Sequence, residues 1–135
     1  MSFLHKPPRE WLAADVIAAQ SEVEQRLIDQ IVNGTLPPTV RDLNAGTNLF
    51  QQGYFAQAVH LVLEGEVSVA VDGAEVARLG PGHVFGEMAM LVNRQRTGTL
   101  TAVVPTTIAS MGESSVDRDD LRALAASRGF SPPED

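Results

Sequence analysis

The chain has 135 residues, of which 44% are hydrophobic and 20% are charged, a composition typical of one ordered globular domain. Its 17 acidic and 10 basic side chains give a net charge of -7 without a cluster of Lys and Arg, which argues against direct binding to nucleic acid. The absence of cysteine excludes disulfides and thiolate chemistry, and no apolar run is long enough to cross a membrane, so we expect a cytoplasmic protein without membrane insertion.

The N-terminal part of the sequence is predicted to be helical. After a Pro-containing flexible tail at residues 1–8, the segment 9–35 carries apolar residues at helical spacing. These residues are Val16, Val23, Leu27 and Ile31. Asn33, Gly34 and the prolines that follow favour turns, and they predict the end of the helix.

Residues 36–114 are predicted to form short β-strands. In the stretch VHLVLEGEVSVAVDG, apolar residues alternate with polar ones such as His60, as they do in strands with one buried face. Gly65 and the pair Asp72–Gly73 lie where turns or bulges fit. AEVARL, TGTLTAVV and TTIASM supply further short strands. This spacing predicts a mainly β fold with flanking helices, arranged as a jelly-roll-like β-roll.

Helical spacing returns in residues 115–135, which we interpret as a C-terminal helix and tail. The apolar positions are Val116, Leu121 and Leu124. Ser115 or Asp117 is the expected N-cap, because short polar side chains accept hydrogen bonds from free helix amides. Gly129 is the expected stop.

The stretch FGEMAMLVNRQRTGT, residues 85–99, combines a glycine turn with a short helix start. Gly86 allows a sharp turn of the backbone and close approach of a ligand. If a helix begins at Glu87, the amides of Met88 and Ala89 have no partner within it and can bind an anion.

The charged side chains of this stretch suit two different groups of a ligand. The Glu87 carboxylate is an acceptor and matches a hydroxyl, whereas the Arg96 guanidinium matches the paired oxygens of a phosphate. Thr97 adds a hydroxyl beside Arg96. The pattern therefore predicts a ligand with a hydroxyl, one compact phosphate and an apolar remainder.

This stretch resembles the phosphate-binding cassette of the cyclic nucleotide-binding domain family. The family's pattern is matched at Phe85, Gly86, Glu87, Met88, Ala89, Arg96, Thr97 and Gly98. The upstream stretch GTNLFQQGYFAQAVHLVLEGEVSV resembles the family's second signature, with glycines and apolar residues at its positions. These are Gly46, Leu49, Phe50, Gly53, Gly65 and Val67. The resemblance covers about residues 36–130 and rests on two signatures in the family's order.

The resemblance assigns a role to each contact. It implies that Glu87 binds the ribose 2′-hydroxyl and Arg96 the exocyclic phosphate oxygens, while the amides of Met88 and Ala89 share the phosphate. The resemblance also assigns the sugar and base pocket to Leu63, Val76 and Ala77. Thr97 lies where family members differ, so it does not decide between cAMP and cGMP.

The sequence departs from the family at three places. His83 stands where aspartate is common in the family. Arg94 is a second arginine that could bind the phosphate, but we assign the phosphate to Arg96 because of its register and the small residues that follow it. In the family a lid helix follows the C-terminal helix and covers the base. Here the sequence stops at Asp135, about where that helix would begin, so we expect the lid to be truncated or absent.

The resemblance implies a non-enzymatic sensor or regulatory domain that binds cAMP or cGMP, without cofactor or metal, and signals through helix movement. A homodimer or an effector protein would contact the N- or C-terminal helix. The alternative is an interaction or structural domain that keeps the fold and binds no nucleotide. A metal-dependent jelly roll is disfavoured because His5, His60 and His83 lack ligand spacing. Ser68 and Ser110 are interpreted as strand residues without a flanking acid and base.

Overall fold

The computed structural model describes residues 6–50, 58–86 and 98–128. Within these ranges, helices precede and follow two antiparallel sheets. The prediction of a mainly β fold with flanking helices is therefore confirmed.

The N-terminal helical segment is divided into three parts. They are a 3-10 turn at Pro8–Glu10, helix α1 at Ala14–Ala18 and helix α2 at Glu22–Val32. Helix α2 starts afresh because Ser21 has extended dihedrals, φ -61 and ψ 158, and its hydroxyl accepts a hydrogen bond from the Glu24 amide. The apolar spacing continues across this break, so periodicity alone did not predict it.

Eight strands form two four-stranded sheets in the described ranges. Their bounds are β1 Thr39–Leu43, β2 Asn48–Phe50, β3 Ala58–Glu64, β4 Val67–Val71, β5 Ala74–Leu79, β6 Val84–Phe85, β7 Thr99–Ala102 and β8 Thr106–Gly112. The first sheet has the order β1-β8-β3-β6 and the second the order β2-β7-β4-β5. Neighbouring strands are antiparallel, and among the described strands β6 lies at one edge of the first sheet and β5 at one edge of the second.

Two groups of buried side chains cover the two faces of the first sheet. The inner core joins the two sheets and contains Leu43, Val62, Val67, Phe85, Leu100, Ala102 and Ile108. The helix-side core joins the first sheet to the helices and includes Trp11, Leu12, Val23, Leu27, Ile28, Ile31, Val59, Leu61, Leu63, Val84, Ala109, Met111, Leu121 and Leu124. Strand β3 is therefore buried on both faces from Val59 to Leu63, and of its expected polar residues His60 is buried while Glu64, at the strand's end, is exposed.

The C-terminal helix α3 spans Arg118–Ser127 and follows a 3-10 turn at Glu113–Ser115. Of the two predicted N-caps, Asp117 is the one found, because its carboxylate accepts a hydrogen bond from the Asp120 amide at 3.0 Å. The predicted stop at Gly129 lies outside the described residues. Helix α3 is joined to α2 by an ion pair between Arg26 and Asp120 at 2.9 Å.

Candidate functional site

Most of the predicted ligand contacts lie outside the described residues. These are Glu87, Met88, Ala89, Arg96 and Thr97, together with the alternative phosphate ligand Arg94. The structure describes the strands on both sides of this segment, β6 before it and β7 after it. The predicted contacts therefore connect the edge strand of the first sheet to an internal strand of the second.

Strand β6 brings the chain to the site. Both of its residues, Val84 and Phe85, are buried, and β6 pairs with β3 at the edge of the first sheet. Gly86 follows with φ +89, a backbone conformation that side chains with a Cβ rarely adopt. Gly86 therefore has a backbone conformation that favours glycine, immediately before the predicted contacts, whereas the course of the chain after it lies outside the described residues.

Helix α1 packs against the turn that precedes β6. A Cβ placed on Gly82 would lie 2.9 Å from Nε2 of Gln20 and 3.1 Å from Cγ1 of Val16. Gly82 also donates its amide to the Val62 carbonyl at 2.9 Å. The absence of a side chain at Gly82 thus lets the N-terminal helix contact the backbone that leads into the site.

An aromatic stack holds the end of β6 from inside the sandwich. The His60 ring lies 5.2 Å from the Phe85 ring and 5.7 Å from the Phe50 ring, measured between centroids. His60 is 6% exposed and Nδ1 of its imidazole is 2.6 Å from Oγ of Ser110. The interpretation of His60 as part of a polar strand face was wrong, because β3 has the inner core on that side.

The contact between His60 and Ser110 also corrects the expectation that no base adjoins this serine. Strand register places the two residues opposite each other on β3 and β8. The imidazole is enclosed by two phenylalanine rings in the described structure, so its surroundings favour packing over proton transfer to a ligand.

The three predicted pocket residues lie on different surfaces. Leu63 is 4% exposed and packs in the helix-side core. Ala77 pairs with Val69 across the β4–β5 hairpin, so it shares the face of Val69 that packs on the inner core, and it is exposed. Val76 is 62% exposed beside the register shift in this hairpin. Their assignment to the nucleotide pocket stays a prediction.

Charged residues stabilise the opposite face of the same hairpin. Arg78 contacts Glu75 at 3.0 Å and Glu66 at 3.2 Å. A hydrogen bond from Ser68 and the contact with Arg78 hold the pKa of Glu75 below its ordinary value. Ser68 on β4 lies opposite Arg78 on β5, so these bonds favour the strand register in which Ala77 pairs with Val69.

A buried carboxylate that the sequence analysis missed lies behind β6. Glu24 of α2 is 7% exposed, and its Oε2 accepts hydrogen bonds from the Val84 amide and from Arg128. Ser21 and Glu24 have the spacing of a helix capping box, which could have drawn attention to this glutamate. Its contact with β6 could not be read from the sequence, because the two positions are 60 residues apart.

The family of this chain is established by comparison. A family model described as the cyclic nucleotide-binding domain matches residues 40–127. The chain belongs to the cyclic nucleotide-binding domain family.

No helix in the part of the chain that the structure describes is long and apolar enough to cross a membrane.

Two curated relatives of this cyclic nucleotide-binding domain are longer proteins that match it over a small part of their length. A Rhodopseudomonas palustris protein named as a potassium channel is 36% identical over 89 residues, which are 64% of this chain and 20% of that protein. A cGMP-dependent protein kinase of Eimeria tenella is 30% identical over 79 residues, covering 58% of this chain and 8% of the kinase. The chain therefore spans a fifth or less of the length of these two curated relatives.

A solved structure of cAMP-bound PfPKA-R is similar in fold. It has a TM-score of 0.62 and 23% sequence identity, and the match covers 91% of this chain and 44% of that one. The jelly-roll-like β-roll is therefore shared with a cyclic nucleotide-binding protein.

Proposed function

We propose that this chain binds a cyclic nucleotide, cAMP or cGMP, and acts as a sensor or regulatory domain. The observation that carries the proposal is the sequence from Phe85 to Thr99. It matches the family's phosphate-binding cassette, and it begins at the buried strand β6 of a chain that belongs to the family. The similarity to cAMP-bound PfPKA-R and to a cGMP-dependent protein kinase supports testing both nucleotides.

Each end of the ligand has its own proposed partner. Glu87 accepts the ribose 2′-hydroxyl, because an ionised carboxylate can only accept hydrogen bonds. Arg96 donates to the exocyclic phosphate oxygens, and the amides of Met88 and Ala89 share the negative charge. Thr97 contributes a hydroxyl that is compatible with either base.

The apolar part of the nucleotide is proposed to contact Leu63, Val76 and Ala77. Support is strongest for Ala77, because it pairs with Val69, whose side chain packs on the inner core, and because β5 is the edge strand of the second sheet among the described strands. Gly86 supports the same arrangement, since its positive φ turns the chain out of β6 at the start of the cassette.

Signalling is proposed to use the terminal helices. Helices α2 and α3 pack on the first sheet, whose edge strand β6 leads to the site, so ligand-induced movement there can reach them. The proposed receivers of the signal are a second copy of the chain or an effector protein, in the cytoplasm.

The proposal assigns no catalytic group to this chain. The nucleotide should therefore be recovered unchanged after incubation with the protein, which chromatography can test.

Isothermal titration calorimetry tests the proposal directly. The protein is titrated with cAMP and with cGMP, and 5′-AMP serves as a control that carries the same base without the cyclic phosphate. We expect saturable heat with at least one cyclic nucleotide and a weaker response to 5′-AMP. No heat and no thermal shift with either cyclic nucleotide would favour the alternative, an interaction or structural domain that binds no nucleotide.

A further inference from the structure

Glu24 is a buried carboxylate with three hydrogen-bond partners, two of which lie in other elements. Its Oε2 accepts a hydrogen bond from the Val84 amide of β6 at 3.2 Å. The same oxygen accepts a bond from Nη2 of Arg128, the C-cap residue of α3, at 3.1 Å. Its Oε1 accepts a bond from Oγ of Ser21 at 3.4 Å. A side chain of α2 thus links β6 to the C-terminal end of α3.

The bond to Val84 lies at the edge that β6 forms among the described strands of the first sheet. Strand β6 is the last strand of that sheet, and Val84 itself is 0% exposed. A buried amide without an acceptor is destabilising, and at this edge the acceptor is a carboxylate instead of another strand. Glu24 therefore does for Val84 what a neighbouring strand would do, and it holds strand β6, which ends at Phe85 just before Gly86.

The bond to Arg128 supplies the charge that a buried carboxylate needs. The Glu24 side chain is 10% exposed and that of Arg128 is 25% exposed, so the pair is largely removed from solvent. Movement of Arg128 would leave the carboxylate buried without this cation, which is costly. The carboxylate can hold β6 at low cost only while the end of α3 stays in place.

We propose that Glu24 is a positioning residue for the nucleotide site and that, through Arg128, it makes nucleotide affinity depend on where the C-terminal end of α3 lies. The ligand in this proposal rests on the proposed function, whereas the link from α3 to β6 does not. Because coupling is reciprocal, nucleotide binding would shift the equilibrium between positions of the end of α3, and the free energy of that shift equals the change in nucleotide binding free energy.

A second ion pair provides a matched control. Arg26 and Asp120 also join α2 to α3, with Nε of Arg26 2.9 Å from Oδ1 of Asp120. Gln30 donates to the other oxygen of Asp120 at 2.7 Å. These bonds connect the two helices to each other without including β6. Arg26→Met therefore loosens the helix pair while the bond between Glu24 and Val84 is retained.

Amide hydrogen exchange without nucleotide tests the link to β6. Exchange of the Val84 amide is compared with that of Ile108 in the central strand β8, which reports global opening. We expect Glu24→Gln and Arg128→Met each to accelerate Val84 relative to Ile108 by about ten-fold. The first replaces the charge-assisted bond to Val84 by a weaker neutral one. The second leaves the buried carboxylate without its cation, which makes the position that bonds Val84 more costly. Arg128→Lys should restore most of the protection, and Arg26→Met should leave the ratio unchanged. Equal acceleration of Val84 and Ile108 in Glu24→Gln would overturn the proposal.

Nucleotide affinity tests the coupling in a double-mutant cycle. Titration of the cyclic nucleotide into Glu24→Gln and into Arg128→Met should each give about three- to ten-fold weaker binding, and the double variant should be no weaker than the weaker single one. Arg26→Met should stay within about two-fold of the unmodified protein. Additive losses, or no loss in Glu24→Gln, would contradict the coupling. If the unmodified protein binds neither nucleotide, the proposed function and the predicted effect on affinity both fail, and the exchange ratio still decides whether α3 is linked to β6.

Discussion

Arg96 and Arg94 are two residues apart, and Arg96 is the one expected to bind the cyclic phosphate. Arg96→Ala removes a charge-assisted contact, so we expect a loss of about 1.5 to 3 kcal/mol of binding free energy, roughly ten- to 150-fold in Kd. Calorimetry with the preferred nucleotide measures this loss.

Arg94→Ala is the matched control for that change. It removes the same charge and side chain two positions earlier, and the expected change in Kd is less than about two-fold, because Arg94 is not the residue assigned to the phosphate. Equal weakening by the two substitutions would contradict the register that assigns the phosphate to Arg96. Circular dichroism of both variants would establish that the fold is retained.

At the scale of elements, the junction between β6 and the predicted contacts depends on Gly86. Its φ of +89 is unfavourable for a residue with a Cβ, so Gly86→Ala should lower the free energy of unfolding by about 1–2 kcal/mol. The backbone must also shift at the entrance to the site, and we expect weaker nucleotide binding than the loss of stability alone would cause. Urea unfolding and calorimetry measure the two effects separately.

Gly80→Ala is the control for the Gly86 substitution. Gly80 precedes β6 by a few residues, has no positive φ, and has open space where a Cβ would lie. Its substitution should change the unfolding free energy by no more than about 0.5 kcal/mol and leave affinity unchanged. A similar loss in both variants would show that the conformation of Gly86 is not what the site requires.

Elements with a local signal were predictable, and those set by distant contacts were not. The cap at Asp117 follows from the residue type and spacing, and the glycine turn at Gly86 follows from the motif. The strand period could not reveal that His60 faces a second sheet, because burial on both faces depends on which strands pair. The break before α2 was missed because Ser21 lies between apolar positions that keep helical spacing.

The candidate site follows the same division. The motif assigns chemistry to Glu87 and Arg96, because the residue types and their order carry that information. The surroundings of Ala77 and Leu63 come from the sheet topology, because Ala77 lies on β5 of the second sheet and Leu63 on β3 of the first, where it packs in the helix-side core. The bond between Glu24 and Val84 joins positions that are distant in sequence, so it required the fold.

At the scale of the whole molecule, the first sheet joins the helices to the second sheet. One of its faces packs in the helix-side core and the other in the inner core. Leu27 is 0% exposed in the first of these cores and Leu100 is 1% exposed in the second. Because the cores share a sheet, we expect Leu27→Ala and Leu100→Ala each to lower the free energy of unfolding by about 2–5 kcal/mol and to destabilise the whole molecule.

Two spectroscopic probes can test whether the two cores unfold together. Trp11 is the single tryptophan and is buried in the helix-side core, so its fluorescence reports the helical side. Far-UV circular dichroism reports the sheets as well. The two urea transitions should coincide in the unmodified protein and move together in both variants, because loss of either core removes support from the shared sheet. If Leu27→Ala moved the fluorescence transition alone, the helices would be an independently unfolding layer, and movement of α3 could not be transmitted to β6 through packing.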